Sequence, residues 1–298
     1  MVNDGLVSAS GDTRGIVDPA AMMRHVDFAR YEPGPELVGL VEWFWSVQWD
    51  LPDGQFHDQE VLNHPAGNIS IGTIDDSDLP LDPPEGRLYG VFTEVSKRHL
   101  VGAGWTVAAR ISVGALGAFL DGPAKAASNA RLDIVKGLPG LDRPDIVRDV
   151  SALGSQVERV DVLRQALSEV VGRRCASMLA EAREVVDLAS LAERDRSIRR
   201  VEQLAEAGSV SVRTLQRLFD QHVGVTPAFV IRRWRILEAV ESALADTDGE
   251  EGWKGWSALA AELGYSDQAH LTRDFRHHLG ISPSTYRAKV RTLSLIHI

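Results

Sequence analysis

Apolar side chains recur at helical spacing in the last third of the chain. The segment VEQLAEA is followed by a Gly-Ser turn and then by VRTLQRLFDQH, in which Leu215, Leu218 and Phe219 fall at positions i, i+3 and i+4. This spacing places the three side chains on one buried helix face. Ser211 directly precedes the second segment and is a favourable N-cap. The pattern predicts a short helix, a tight turn and a second, capped helix.

The same pattern returns 56 residues later. LQRLFDQHVGVTP and LTRDFRHHLGISP have corresponding residues at positions that include Leu215, Arg217, Phe219, Gly224, Thr226 and Pro227, which align with Leu271, Arg273, Phe275, Gly280, Ser282 and Pro283. In the second unit LAAEL ends at Gly264, and Asp267 supplies the N-cap of QAHLTRDFRHH. Each unit is predicted to be a helix-turn-helix, and Thr226-Pro227 and Ser282-Pro283 each start a further helix.

The outer faces of the two second helices carry the candidate binding residues. With the leucine and phenylalanine side chains inward, arginine, glutamine and threonine point outward. Arginine and glutamine donate paired hydrogen bonds to guanine or adenine edges in the major groove, and threonine contacts base edges or phosphates. A plain helical bundle is the alternative. Two units in register, with arginine at the same outward position, favour DNA recognition over that alternative.

The segment from about Ile198 to Arg291 resembles the DNA-binding domain of the AraC/XylS family of bacterial regulators. Four motifs carry the resemblance: LA-x5-S-x3-L-x-R-L-F, G-x-[ST]-P, R-x-x-R-I-L-x-A and GISPSTYR. The resemblance implies two helix-turn-helix subdomains joined by one long helix, here Pro227 to about Leu244. By position it implies two sets of groove-facing residues: Arg213, Gln216 and Arg217 in one major groove, and Gln268, Ala269, His270, Thr272 and Arg273 in the next.

Two departures from the family pattern are mild. Leu271 stands where phenylalanine is usual, and Gly208-Ser209 stands where a small residue followed by glycine is common. Neither change removes a DNA-facing group. Two units in one chain would place their recognition helices one helical turn of DNA apart, ~34 Å, so a monomer would contact two adjacent grooves.

The front of the chain has strand-like patterns instead. Apolar and polar residues alternate in EWFWSVQW, and NISIGTI and WTVAARIS are further strand candidates. A small barrel or sandwich is expected. The region is similar to the β-barrel-like N-terminal domains of AraC-type proteins, which implies ligand sensing or dimerisation. The matching residues are Tyr31, Pro33, Pro35, Leu37, Trp43 and Trp45. Core packing is the favoured role of the tryptophans, with a ligand pocket or base stacking as alternatives.

The predicted fold class is α+β multidomain. We expect a flexible tail in residues 1–20, a β-rich, barrel-like sensor or dimerisation domain in 21–125, a helical connector in 126–195 and an all-α double helix-turn-helix domain in 196–291. The final segment, 292–298, contains LSLIHI, which continues no helix and is interpreted as an artefactual tail.

Charge is unevenly distributed along the chain. The net charge is −10, but residues 196–292 hold 14 Lys and Arg against 12 Asp and Glu, so the rest carries −12. The acidity therefore lies in the front section and does not exclude DNA binding by the rear section. No segment has the length and apolarity of a membrane helix, so we expect no membrane partner and a cytoplasmic, nucleoid-associated location. Double-stranded DNA is the expected partner, and RNA polymerase, an unknown small-molecule effector and a second copy of the chain are further candidates.

One set of residues could indicate an enzyme instead. His57, Glu60, His64 and the distant His99 are ligand types suited to zinc or iron, as in a metal-dependent, cupin-like β-barrel. The H-x-H-x(3,4)-E spacing of such sites is absent. The single cysteine, Cys175, is interpreted as a small buried apolar residue, so a cysteine nucleophile is not favoured. We therefore predict no catalytic residues, no metal site and no cofactor.

Overall fold

A computed structural model describes residues 6–7, 24–74, 81–141, 143–245 and 255–288. The strands are β1 (Leu6–Val7), β2 (Val26–Tyr31), β3 (Val41–Asp50), β4 (Phe56–Val61), β5 (Asn68–Gly72), β6 (Glu85–Tyr89), β7 (Ser96–Val101), β8 (Ala103–Ile111) and β9 (Arg131–Asp133). The helices are α1 (Ile134–Gly137), α2 (Ile146–Ser151), α3 (Gln156–Gly172), α4 (Ala176–Arg194), α5 (Val201–Ala207), α6 (Val212–His222), α7 (Pro227–Ala245), α8 (Gly255–Glu262) and α9 (Gln268–Leu279). Short 3-10 helices span Leu116–Phe119 and Ala124–Ala127. The predicted tail at 292–298 lies outside the described residues, as does most of the tail predicted at 1–20.

The N-terminal region is a sheet and the C-terminal region is helical. The main sheet has the order β1-β2-β3-β8-β5-β6-β9, and β4 and β7 form a separate two-stranded ribbon. Within the described residues the two end strands of the main sheet do not pair with each other, so the expected barrel is not closed. Leu6–Val7 pair with β2, so these two residues of the predicted flexible tail form a strand.

The main sheet has two different faces because side chains alternate along each strand. On one face Phe44, Ile69 and Val107 are fully buried and belong to the main core, and β3 and β8 pack there against α3. On the other face Trp43 lies directly opposite Arg110, and Val47 lies opposite Thr106. We call this second side the cavity face, because the β4–β7 ribbon covers it and leaves a cavity.

The helices continue the same core without a break. One cluster of buried side chains runs from Tyr31 in β2 to Tyr286 near the end of the described residues. α4 packs against α7, and α6 packs against both 3-10 helices. Residues 126–195, predicted as a helical connector, contain α1 to α4 and also β9, which pairs with β6. β9 has only three residues, which is too short for an alternating pattern to predict a strand from the sequence.

Two buried arginines on α7 attach this long helix to the rest of the molecule. Arg233 donates hydrogen bonds to the carbonyl oxygens of Asn63 (3.0 Å) and Thr93 (2.5 Å). Arg235 donates to the carbonyl oxygens of Ala192 (3.1 Å) and Asp195 (2.9 Å) at the end of α4. Burial lowers the pKa of Arg233 to about 10, so the side chain stays charged at neutral pH.

The prediction for Cys175 is wrong. Its side chain is exposed, because the residue is the N-cap of α4 and so precedes the helical repeat on which the prediction depended. The thiol lies 3.5 Å from the Ser177 hydroxyl. Among the described residues, no helix is long and apolar enough to cross a membrane.

The Leu215→Ala substitution should destabilise the chain by about 2–5 kcal/mol, because it removes a fully buried side chain and leaves a cavity. Gln216→Ala, at the exposed neighbouring position, should change stability by less than about 0.5 kcal/mol. Chemical denaturation of both variants measures the difference. Equal stability of the two variants would show that this face of α6 is not part of the core.

Stability should also fall between pH 7 and pH 5 because of His278. The imidazole is 3% exposed, and burial, followed by the charges of Arg233, His277 and Arg232, lowers its pKa to about 3. The unfolded chain takes up a proton near pH 6.5 and the folded chain does not, so stability is lost as pH falls from 6.5 towards 3. At pH 5 the loss is about 2 kcal/mol.

The control for this pH dependence is the exposed neighbour His277. Denaturation at pH 7 and pH 5 should show a smaller pH dependence in His278→Gln than in wild type, whereas His277→Gln should keep the wild-type dependence. An unchanged pH dependence in His278→Gln would contradict the assignment.

Candidate nucleic-acid interface

The first helical pair is α5 and α6, joined by a tight turn. The Val210 amide donates to the Ala205 carbonyl (2.9 Å) and closes the turn. Ser209 has a φ of +54°, a left-handed conformation that glycine adopts more readily. At Gly208 a β-carbon would lie 2.1 Å from a Leu188 methyl group, so a larger residue at this position would require the Leu188 side chain to move.

The second helical pair, α8 and α9, has a similar turn. The Tyr265 amide donates to the Ala260 carbonyl (2.8 Å), which is the same bond between residues five apart. Gly264 takes the left-handed conformation, with a φ of +83°. In the second pair the cap Asp267 follows the left-handed Gly264 by three positions, whereas in the first pair the cap Ser211 follows the left-handed Ser209 by two. The two left-handed residues are therefore 55 positions apart, although the two caps are 56 positions apart.

Both predicted N-caps are present. The Ser211 hydroxyl accepts a hydrogen bond from the Thr214 amide (3.1 Å), and the Asp267 carboxylate accepts one from the His270 amide (2.7 Å). A side-chain cap satisfies one of the free amides at a helix start and fixes the direction in which the helix leaves the turn. These bonds therefore set the orientation of α6 and α9.

The inward residues of α6 and α9 are those that the periodicity predicts. Leu215, Phe219, Leu271 and Phe275 are fully buried. The Trp256 ring packs edge-to-face on Phe275 with a centroid distance of 5.7 Å. The apolar stripe thus fixes which side of each helix faces outward.

Of the predicted binding residues, six are exposed and two are partly covered. The exposed ones are Arg213, Gln216, Arg217, Gln268, Ala269 and Arg273. Thr272 and His270 are half-buried, and His270 contacts the Ser266 hydroxyl (3.2 Å) and the Tyr265 ring (centroid distance 5.1 Å). His270 is thus held within the turn.

An acidic residue of α4 lies beside the predicted binding face of α6. Glu181 contacts the Arg217 guanidinium (3.2 Å) and the buried imidazole of His222 (2.9 Å). The hydrogen bond from His222, together with that from Arg217, lowers the pKa of Glu181. Lys125 similarly pairs with Asp220 at 3.0 Å. The outer face of α6 is therefore in ionic contact with the N-terminal part of the molecule.

Two adjacent arginines of the linking helix α7 lie in different environments. Arg232 is exposed, but Arg233 is fully buried and cannot reach a DNA backbone. The burial of Arg233 has only a weak signal in the sequence, namely that the residues one turn before and after it on α7, Val230 and Leu237, are apolar.

The three candidate histidine ligands do not come together in one site, and the side chain of the fourth candidate, Glu60, lies outside the described part of the structure. His99 pairs with Asp58 (2.5 Å), whereas His57 contacts Gln59 (3.1 Å) on the other side of the ribbon. His64 is buried against the Trp234 ring, with a centroid distance of 5.4 Å. In the part of the chain that the structure describes, no three His, Cys, Asp or Glu side chains are grouped so that they could hold a metal ion.

Two family models match the chain. Residues 204–289 match a helix-turn-helix domain, which covers both helical pairs. Residues 29–133 match a domain of unknown function (DUF6597), which covers most of the sheet.

Known proteins with similar sequences are regulators. An HTH-type transcriptional regulator of Haemophilus influenzae is 26% identical over 137 residues, which are 46% of this chain and 44% of that protein. The HTH-type transcriptional activator RhaS of Pectobacterium carotovorum is 32% identical over 84 residues, 28% of each chain. The chain thus spans less than half the length of these curated relatives.

A solved structure matches the same region. It is a transcriptional regulator with an AraC-type DNA-binding domain from Chromobacterium violaceum, 23% identical, covering 38% of this chain and 96% of that one with a TM-score of 0.31. Residues 204–289 are thus similar in sequence to the helix-turn-helix domains of AraC-like transcription regulators.

Proposed function

We propose that the protein is a sequence-specific DNA-binding transcription regulator whose α6 and α9 enter two adjacent major grooves. The observation that carries the proposal is that both helices bury an apolar stripe and expose arginine and glutamine on the opposite face. Each helix follows a tight turn and a side-chain cap, which supports a helix-turn-helix assignment. The match to regulators over this region supports the same function.

The eight predicted residues have different roles in this proposal. Arg213 and Gln268 lie in the first turn of α6 and α9, where a recognition helix contacts base edges. We assign these two residues to base recognition. Gln216, Arg217, Ala269, Thr272 and Arg273 follow on the same faces and contact base edges or phosphates. His270 supports the second turn.

The domain arrangement follows from the same assignment. We propose a DNA-binding domain in residues 196–291, connected through 126–195 to a sheet domain in 21–125 that responds to a small-molecule effector. The expected location is cytoplasmic and nucleoid-associated. RNA polymerase and a second copy of the chain are further candidate partners. The relatives are transcriptional regulators, and we propose no catalytic function.

Replacing Arg213 or Gln268 with alanine should weaken binding to a site selected from random DNA by roughly 1–3 kcal/mol and relax the preference at one base pair. The reason is the loss of a bidentate hydrogen bond to a base edge. Binding of the full-length variants to the selected site and to its single-base variants measures both effects.

The matched control is Arg148→Ala, which removes the same charge at an exposed position on α2. It should leave affinity and base preference unchanged. The proposal fails if Arg213→Ala and Gln268→Ala remain folded and bind with wild-type affinity and preference.

Glu181→Gln should strengthen DNA binding by up to about fivefold at low salt, since it releases Arg217 from an exposed ion pair of modest strength. Glutamine can still accept a hydrogen bond from His222, which preserves the packing of α6 against α4. Glu184→Gln removes an equal charge from an exposed position one turn along the same helix and serves as the control. Equal effects of both variants would mean that only the overall charge matters.

A further inference from the structure

A cavity lies between the cavity face of the main sheet and the β4–β7 ribbon. Its volume is about 230 Å³, which is below the range typical of drug-sized ligands and suits a smaller molecule. Its walls are rich in aromatic rings: Phe28, Trp43, Trp45, Tyr89 and Phe92. The walls therefore fit a flat, apolar body.

Three arginine side chains give the lining of this cavity its positive charge. Arg30, Arg98 and Arg110 line it, and none of the described lining residues is Asp or Glu. The guanidinium carbons of Arg30 and Arg110 lie 4.4 Å and 4.5 Å from the centre of the Trp43 ring. Arg110 also pairs with Glu42 at 2.8 Å, outside the lining. Stacked guanidinium groups of this kind have their N–H groups fixed in direction, which suits recognition of a planar anion.

A buried hydroxyl group lies in the same wall. Thr106 is 3% exposed, and its hydroxyl oxygen has no hydrogen-bond partner in the described part of the chain. Leaving a buried polar group without a partner costs about 1–3 kcal/mol. A polar atom of a bound molecule would remove this cost.

We propose that this cavity binds a small organic anion with a flat apolar body, of the arene carboxylate class. The aromatic walls would hold the body, and the arginines would hold the carboxylate. The neutral analogue of the same shape would bind more weakly, because it lacks the charge-assisted hydrogen bonds.

The wall of the cavity also touches the linking helix α7. Asn63 and His64 line the cavity. The Asn63 carbonyl accepts the hydrogen bond from Arg233, and the His64 ring packs edge-to-face on Trp234. A ligand that moves this wall would therefore act on the helix that joins α6 to α9. This second step, control of DNA binding by the ligand, rests on the proposed function.

Isothermal titration calorimetry of the full chain with 2-naphthoate and with its neutral isostere 2-naphthamide tests the site. Naphthoate should bind at least about tenfold more tightly than naphthamide, and Arg30→Gln and Arg98→Gln should each weaken naphthoate binding about 10- to 100-fold. Arg148→Gln, an exposed arginine outside the cavity, should leave it unchanged. Circular dichroism checks that each variant is folded.

Three outcomes would overturn the site: no heat of binding at millimolar naphthoate, equal binding of naphthoate and naphthamide, or unchanged binding in both folded arginine variants. Calorimetry needs no DNA, so it decides the site even if the proposed function fails. A second measurement compares DNA affinity with and without saturating naphthoate. A change of about threefold or more supports the step through α7, whereas an unchanged affinity overturns that step alone.

Discussion

The arrangement of this molecule depends on two guanidinium groups that α7 carries into the interior. Taking such a group out of water costs several kcal/mol unless hydrogen bonds replace its hydration. Arg233 recovers these bonds from carbonyl groups of the sheet region, and Arg235 recovers them from the end of α4. The long helix can therefore leave neither neighbour without exposing or stranding a charge.

This constraint makes the DNA-binding domain part of a larger packed unit. The buried cluster is continuous from the sheet to the second helical pair, and α6 has additional ionic contacts through Glu181 and Lys125. By contrast, α9 packs mainly on α7 and α8. The two candidate DNA-contacting helices thus differ in their attachment to the N-terminal region. A change in that region would act on α6 directly and on α9 through α7.

The sequence predicts features that depend on neighbours in the chain and misses those that depend on distant contacts. The caps at Ser211 and Asp267 and the inward Leu215 and Phe275 follow from local spacing, and the structure confirms all four. The burial of Arg233 cannot be predicted from its local sequence, because the carbonyl groups that accept its hydrogen bonds are more than a hundred positions away. The eight candidate DNA-contacting residues follow from the outward face of each helix and from family resemblance. Their exposure is a structural fact, but their contacts with DNA stay a prediction.

Strand β3 contributes side chains to both the core and the cavity, because successive side chains of a strand point to opposite faces of the sheet. Phe44 packs into the core, while Trp43 and Trp45 on either side of it line the cavity, which favours a pocket role for these two over simple core packing. A densely packed core resists small deformations and responds to them as a unit. The core side of β3 packs against α3, whereas the loop holding Asn63 and His64 contacts α7 through Arg233 and Trp234. A molecule entering the cavity would therefore reach α7 through that loop.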